Sequence, residues 1–430
     1  MYVYISSLIA GLIFTIQPVF LTYYLLRHIG CRVSQLVRKF FLPVICPAAI
    51  VSTIQQALLV VLPLYVLSIG GTLAESAMII GFKGIGMMLG DLPAGLLLAR
   101  FGDKRLMLGA AVTSSLSLAL MALFPTLGVL TAAALLLGFA HGSWLVGRIS
   151  YVSDAAAPNE RGRVMSLSAG TIRLGNVVGP LLAGFMIAAQ GYQVTLAVFT
   201  LSSLLVVLFV ALWVVYSKPH GEDSHHVAAL QDAVVDNRKV LLTAGVASLA
   251  LMLVRASRAL LLPLTGAALL LDETSIGMVI SIGAVVDTLL FYPAGTMMDR
   301  IGRKPMFIAS LTLLGLSISL LPMAEGLWSL ILIASLMGLG NGVSAGVIMT
   351  VGSDLAPRLN RGGFIGIWRL LSDVGSTSGP LLIGLMVKLS GLAMASYSIG
   401  LLGLLGGAFV VKAMRETHRK DDRVEVDRKG

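Results

Sequence analysis

The stretch Pro293-Ala-Gly-Thr-Met-Met-Asp-Arg-Ile-Gly-Arg-Lys304 has a counterpart 200 residues earlier (293 against 93), which reads Pro93-Ala-Gly-Leu-Leu-Leu-Ala-Arg-Phe-Gly-Asp-Lys104. The proline, the alanine, both glycines, the arginine and the lysine coincide without a gap. An apolar composition produces chance matches of leucine, but it does not align proline, glycine and basic residues in register. The two stretches therefore indicate an internal duplication.

The composition places this duplicated chain in a membrane. Of its 430 residues, 57% are hydrophobic and only 12% are charged. Apolar runs of about 20 residues, the length that crosses a bilayer as a helix, follow one another along the chain. Such runs must be helical, because backbone groups in lipid have no water to bond. Thirteen spans are predicted: 3–26, 41–68, 76–98, 105–124, 127–151, 163–188, 193–216, 240–266, 274–298, 305–323, 327–351, 363–387 and 391–412.

The offset of 200 residues also aligns residues outside the opening stretches. Pro63 aligns with Pro263, and Gly179-Pro180-Leu-Leu aligns with Gly379-Pro380-Leu-Leu. Parallel repeats related by an axis along the membrane normal form one large transporter architecture, with the site between the halves near mid-bilayer. We therefore predict an all-α membrane protein with two six-helix bundles in pseudo-twofold repeat and one extra N-terminal span.

The predicted domains follow from these spans. They are an extra helix with a basic loop (1–40), the N-terminal bundle (41–216), a polar linker (217–239), the C-terminal bundle (240–412) and a charged tail (413–430). An upstream start codon outside the working protein is the alternative for the first span. The linker histidines His220, His225 and His226 are not expected to bind metal, and no cofactor is expected.

Basic residues indicate the sidedness. Lysine and arginine are absent from the alternate loops 69–75, 125–126, 189–192, 267–273 and 324–326, whereas the other loops and the tail carry them. Basic loops face the cytoplasm, so the C-terminus is predicted to be cytoplasmic. The net charge of +10 then reflects these loops and not nucleic-acid binding. The predicted location is the inner membrane of a bacterium, with many passes and a monomeric chain.

The stretch 295–304 resembles the loop motif G-x-x-x-D-R-x-G-R-K of the major facilitator superfamily, which lies between the second and third helices of a six-helix half. The first copy keeps the glycines and the arginine but has Ala99 where the family usually has Asp. The resemblance implies cytoplasmic latches that stabilise one of two conformations, with Asp299 and Arg300 in the second half and Asp91 as a substitute in the first. The implied gating residues are Asp91, Gly95, Arg100, Gly102, Lys104, Gly295, Asp299, Arg300, Gly302, Arg303 and Lys304. Gly95 and Gly295 are expected to allow tight helix contact at the cytoplasmic ends.

A second motif resembles the fifth-span signature of the drug:proton antiporter branch of that superfamily. It reads Gly175-x-x-x-Gly179-Pro180 in the first half and Gly375-x-x-x-Gly379-Pro380 in the second. Glycine and proline weaken the hydrogen-bond ladder of a span and permit bending. Packing alone is the alternative role for Gly175 and Gly375.

Ionisable residues inside spans are functional candidates, because each costs about 2.5–3.5 kcal/mol at the bilayer centre on insertion scales. Numbered from residue 41, the spans that carry them are those that line the cavity in the superfamily. Arg369 and Asp373 are spaced to pair on one helix face. Asp287 and Asp373 are the candidate proton carriers. The candidate site residues are Gln55, Gln56, Lys83, His141, Arg173, Arg255, Arg258, Asp287, Asn341, Arg369 and Asp373.

The sequence therefore favours a secondary transporter, most simply one that exports a drug-like compound or metabolite against protons. Uptake by proton symport is an alternative, because sequence does not separate the two directions. A transport-inactive receptor or assembly protein that kept the fold is another. An enzyme is not expected, since no nucleophile elbow or phosphate-binding glycine loop is present. The expected partners are a small-molecule substrate, protons and the lipid bilayer.

Overall fold

The computed structural model describes residues 39–157, 160–215, 237–357 and 361–417. Within these ranges, ten helices are long and apolar enough to cross a membrane. Two of them, 52 and 51 residues long, change direction at Gly191 and Gly391 and so cross twice. Ten helices and two second crossings give twelve spans. The predicted extra span 3–26 lies outside the described residues.

The first bundle contains six helices. Helix α1 is Cys46–Ser68, preceded by a π-helical turn at Phe41–Ile45. Gly102 divides Leu73–Leu123 into α2 (73–101) and α3 (103–123). Helix α4 is Leu127–Ala155, and Gly191 divides Arg161–Trp213 into α5 (161–190) and α6 (192–213).

The second bundle repeats this order. A short turn Arg238–Val240 and a π-helical turn Leu241–Gly245 lead into α7 (Val246–Ala268). Helix α8 is Glu273–Ile301, and α9 is Arg303–Ser319, followed by a 3-10 turn at Leu321–Met323. Helix α10 is Leu327–Val343 with its continuation Val347–Leu355. Gly391 divides Arg361–Ala413 into α11 (361–390) and α12 (392–413). The predicted pseudo-twofold fold is confirmed.

Glycine produces the sharp turns between spans. The backbone φ angle is +76° at Gly102 and +110° at its repeat partner Gly302, and it is +79° at Gly191 and +87° at Gly391. Residues with a Cβ rarely adopt this left-handed region, so glycine is needed at each turn. We call the membrane face at Gly102 and Gly302 the loop-motif side, and the face at Gly191 and Gly391 the opposite side.

Polar side chains start the helices that enter from the opposite side. Thr72 and Glu75 form a capping box at the start of α2. The carboxylate of Asp272 accepts bonds from the backbone N–H and hydroxyl of Ser275 at the start of α8. These bonds hold the pKa of Asp272 below its usual value. Each satisfies backbone donors that the first helical turn leaves free.

The repeat is broken in α10. Its helix stops at Val343 and restarts at Val347, with Gly346 in a left-handed conformation at φ +81°. Its counterpart α4 is continuous, and Val146 stands where Gly346 does. The predicted span 327–351 matches the membrane-length segment Leu327–Leu355. Its helix is interrupted because Gly346 permits a conformation that valine disfavours.

Leu270 has a strained backbone that its repeat partner avoids. Its φ is +55°, whereas the corresponding residue Gly70 has φ +88°. A left-handed residue with a Cβ costs about 1–2 kcal/mol, and Asn tolerates the conformation better than Leu. Because Leu270 is 92% exposed, we expect Leu270→Asn to raise the thermal unfolding temperature in detergent. Gly70→Leu should lower it, and equal or opposite shifts would contradict this account.

The two bundles meet along two seams, α2 against α11 and α5 against α8. Near the opposite side, the two helices of each seam are in close contact. A Cβ at Gly277 of α8 would collide with the carbonyl of Pro180 on α5, and one at Gly81 of α2 would collide with Leu381 of α11. Small residues allow membrane helices to approach this closely.

Candidate functional site

Ten Asp, Lys, Arg and His residues lie within the spans away from the helix ends, and they avoid the outer surface of the bundle. None of the ten is in the exposed class; Arg148 and Asp287 are buried and the others are intermediate. Charged side chains inside a membrane protein face the bundle interior or a water-filled cavity. These residues are Lys83, Asp91, His141, Arg148, Arg173, Arg255, Arg258, Asp287, Arg369 and Asp373.

The first cluster lies on the seam between α2 and α11. A terminal guanidinium nitrogen of Arg369 lies 3.3 Å from Oδ1 and 3.4 Å from Oδ2 of Asp91, across the two bundles. The Nε of Arg369 lies 3.7 Å from Oδ2 of Asp373, one turn further along α11. The carboxyl groups of Asp91 and Asp373 therefore lie beside the same guanidinium group. We call these three residues the carboxyl pair with its arginine.

The second cluster lies on the seam between α5 and α8. Arg173 of the first bundle lies 3.9 Å from Oδ1 of Asp287 in the second, and its guanidinium stacks 3.7 Å from the ring centre of Phe291. Asn341 of α10 donates its amide N–H to Oδ2 of Asp287 at 2.7 Å. Each seam therefore carries one ion pair between the bundles.

Two arginines of α7 bind the backbone of α10. Arg255 donates to the carbonyl of Ser344 at 2.8 Å and to the Ser344 hydroxyl at 2.5 Å. These contacts lie at the break in α10, where helical carbonyls lose their usual donors. Arg258 donates to the carbonyl of Met337 at 3.2 Å. The Nε atoms of both arginines are buried without a hydrogen-bond partner.

The first bundle also contributes neutral polar groups. The side-chain oxygen of Gln55 and the Nδ1 of His141 are buried without a hydrogen-bond partner. Gln56 and Lys83 are partly buried. Buried polar atoms are rarely left unpaired, so these atoms are candidates to bind water or a solute. Arg148 donates to the Ser168 hydroxyl at 2.8 Å.

The loop motif makes different contacts from those expected. Asp299 lies 3.6 Å from Arg303, and Arg303 lies 3.1 Å from Asp354 of α10. Asp299 pairs with Arg303 because residues four apart on a helix share a face, and the latch role expected of Asp299 and Arg300 stays a prediction. Asp91, proposed as a first-half latch, pairs with Arg369 across the seam.

The lysines of the loop motif make equivalent contacts in both halves. Lys104 donates to the carbonyl of Ala211 at the end of α6, and Lys304 donates to the carbonyl of Val411 at the end of α12, each at 2.8 Å. Cationic side chains stabilise the free carbonyls of a helix C-terminus. In the second half, the carboxylate of Glu416 also accepts the backbone N–H groups of Arg303 and Lys304.

Gly95 and Gly295 do not make the tight contact expected of them. A Cβ at either position would meet no atom within 4 Å among the described residues. Nearby Leu96 is 66% exposed and Tyr292 80% exposed. The bundles are therefore in close contact near the opposite side and make no such contact at Gly95 and Gly295. We take the loop-motif side as the open side of the structure.

The Gly-Pro motifs pack each bundle together. A Cβ at Gly179 of α5 would lie 2.6 Å from the carbonyl of Thr53 on α1, and one at Gly379 of α11 would lie 2.6 Å from the carbonyl of Leu253 on α7. Cβ atoms at Gly175 and Gly375 would also collide with α1 and α7. These contacts support packing as a role; bending at Pro180 and Pro380 stays a prediction.

Sequence reasoning missed three contact residues. Ser344 binds Arg255, Phe291 stacks on Arg173, and Glu416 caps α9. The repeat has glycine at position 346 but valine at position 146, and this difference was the available signal for the helix break beside Ser344. Within the described residues, no group of three or more His, Cys, Asp or Glu is placed to hold a metal ion. The three linker histidines lie outside those residues.

Two bundles in pseudo-twofold repeat, with ion pairs on both seams and a cleft open to one side, define the class of membrane transporter that works from a central cleft. The sequence profile of the Major Facilitator Superfamily matches residues 3–254 and 245–429. The chain belongs to this superfamily, and it is a multi-pass membrane transporter.

Two relatives match this chain over part of its length. A segment of 94 residues is 32% identical to the multidrug resistance protein B homolog of Mycobacterium tuberculosis, covering 22% of this chain and 17% of that protein. A segment of 115 residues is 29% identical to the inner membrane transport protein YajR of Escherichia coli, covering 26% of this chain and 25% of that protein. The alignments thus span a quarter or less of these relatives.

Solved structures share the fold. A peptide transporter of the POT type in complex with sulfate has a TM-score of 0.71 at 14% identity, over 85% of this chain and 92% of that one. The nucleoside transporter NupG has a TM-score of 0.69 at 14% identity, over 86% and 99%. A D-xylose-proton symporter has a TM-score of 0.66 at 15% identity, over 86% and 96%. At such identities the likeness concerns the fold alone.

Proposed function

We propose that this transporter couples the movement of protons to the export of a drug-like compound or metabolite by alternating access. One observation carries the proposal: the carboxyl groups of Asp91 and Asp373, from opposite bundles, meet beside a single arginine, Arg369. Two carboxylates beside one guanidinium group carry one unbalanced negative charge, which a single proton can neutralise. We therefore assign the proton site to this pair.

The charge balance of this site links the proton to the conformation. With one proton, the two carboxyl groups and Arg369 sum to zero charge. Without it, two carboxylates from opposite bundles repel each other beside one arginine, which weakens the contact between α2 and α11. Proton release thus favours separation of the bundles at this seam, as a two-state transporter requires. The site titrates as a pair and not as two independent acids.

Export is favoured over uptake by the relatives. The Mycobacterium tuberculosis protein is named as a multidrug resistance protein homolog, and the glycine–proline signatures of α5 and α11 resemble those of drug:proton antiporters. The basic loops put the open side of the cleft at the cytoplasm, where an exporter takes up its solute. We place the chain in the bacterial inner membrane with a cytoplasmic C-terminus.

The test is accumulation of a panel of fluorescent drug-like compounds in cells that express the chain and in cells that do not, at two external pH values. We expect lower accumulation in expressing cells for some compounds, more strongly at the lower external pH, and loss of the difference when a protonophore is added. Raised accumulation would favour uptake by symport. Identical accumulation of every compound in both cell types would contradict transport of drug-like solutes.

A further inference from the structure

The region around Asp287, between α5 of the first bundle and α7 and α8 of the second, carries more positive charge than this one carboxylate balances. Arg255, Arg258 and Arg173 all interact electrostatically with the same carboxylate, that of Asp287. Asp287 is already hydrogen-bonded to Asn341 and lies 3.9 Å from Arg173. Three guanidinium groups around one carboxylate leave two positive charges in excess among the described residues.

The hydrogen bonds of Arg255 and Arg258 go to neutral groups. Arg255 and Arg258 donate only to carbonyl and hydroxyl oxygens of α10, and the Nε of each is buried without a partner. A buried charge without a counter-ion is costly, and arginine is suited to bind the paired oxygens of a carboxylate or phosphate. Asp287 lies within electrostatic range of both arginines, but within the described residues the hydrogen bonds of these arginines reach no carboxylate.

The two bundles differ in charge at four repeat-related positions. At the repeat-related positions, Arg255 corresponds to Gln55 and Arg258 corresponds to Leu58. Asp287 corresponds to Met87, and Asn341 corresponds to His141. The first bundle therefore offers neutral hydrogen-bonding and apolar groups where the second offers charge, so a solute between the bundles meets two different surfaces.

We propose that the solute is an amphipathic anion whose carboxylate or phosphate binds Arg255 and Arg258, while its neutral portion faces Gln55 and His141. The inference rests on the proposed transport function and adds the class of substrate. Binding of the anion replaces the bonds of Arg255 to Ser344, at the point where α10 is already broken. Asp287 holds Arg173 and Asn341 in place beside the anion and is a positioning residue.

The test measures thermal stabilisation of the purified full-length chain by matched compounds. The panel contains benzoate, naphthoate and phenyl phosphate, each compared with its neutral amide or alcohol and with the amine of the same ring. We expect the anions to stabilise the wild-type chain most. A hydrogen bond to a charged group is worth about 1.5–3 kcal/mol. Arg258→Gln should therefore raise the Kd of the best anion by roughly 10- to 100-fold.

Arg148→Gln is the matched control, because it removes a buried arginine that is bound to Ser168 in the other bundle. We expect it to leave that Kd within about twofold. Arg258→Lys keeps the positive charge but loses the paired N–H donors of the guanidinium group, so we expect an intermediate Kd. This variant keeps the test valid if Arg258→Gln folds poorly. Equal or greater stabilisation by the neutral or cationic compounds, or an unchanged Kd in Arg258→Gln, would overturn the assignment.

The two proposals fail in different ways. Proton-dependent transport of a cation that Arg258→Gln leaves unchanged would overturn the anion class and leave proton-coupled transport standing. Binding of the anions through Arg258 without any proton-linked movement in proteoliposomes would overturn the coupling and leave the binding site standing.

Discussion

Asp373→Asn is expected to abolish uphill solute movement driven by a pH gradient while leaving solute binding within about threefold of the wild-type value. Asparagine keeps the size of the side chain and its hydrogen bonds, but it cannot exchange a proton. Asp91 would then face a neutral amide and Arg369 alone, so the charge of the seam would no longer depend on a proton. Downhill exchange, which needs no net proton movement, should persist.

Proteoliposomes with an imposed pH gradient provide the measurement, with a solute found in the accumulation screen and a trapped pH-sensitive dye. Asp373→Glu, which keeps a titratable carboxyl group, should retain part of the uphill transport. Asp299→Asn is the matched control, because it removes an acid that is bound to Arg303 outside the carboxyl pair. Uphill transport at the wild-type rate in Asp373→Asn would refute its role in coupling.

Gly95→Leu is expected to reduce transport at least about 100-fold without lowering the thermal stability of the chain. A leucine at Gly95 enters open space in the present conformation, since a Cβ there meets no described atom within 4 Å. It would block closure of the two bundles on the loop-motif side. A change of about 5.5 kcal/mol in the free-energy difference between two conformations moves their populations from 1:99 to 99:1. We expect the clash of this leucine to be large enough to hold the chain in one state.

Gly277→Leu is the opposing variant. Its side chain would collide with the carbonyl of Pro180 and so disfavour the present conformation. Distances between spin labels on cysteines placed at Arg163 and Arg300, in a chain without Cys31 and Cys46, would report the loop-motif side. We expect long distances in Gly95→Leu and a larger short-distance population in Gly277→Leu. The same distance distribution in both variants would contradict the two-state interpretation.

The duplicated motifs made the fold predictable. Gly102 and Gly302 recur at the same offset because each turn needs a left-handed residue, and hydropathy located the spans because lipid leaves the backbone no alternative to a helix. The spacing of Arg369 and Asp373 predicted contact within one helix, and the structure places them 3.7 Å apart.

Contacts between distant elements were less predictable. The meeting of Asp91 with Arg369 depends on the rotation of α2 and α11 about their own axes, which hydrophobic patterning does not determine in helices that are apolar on most faces. The break in α10 depends on one glycine without a repeat partner. The open loop-motif side is a property of one conformation, and a single sequence encodes at least two.

The central claim is that Asp91 and Asp373 share a proton between the bundles, and infrared spectroscopy of the chain in lipid tests it most directly. At neutral pH, we expect an absorption band of a protonated carboxyl group. The band should disappear in both Asp91→Asn and Asp373→Asn and persist in Asp299→Asn. A spectrum without such a band, or a band unchanged in both variants, would contradict the account.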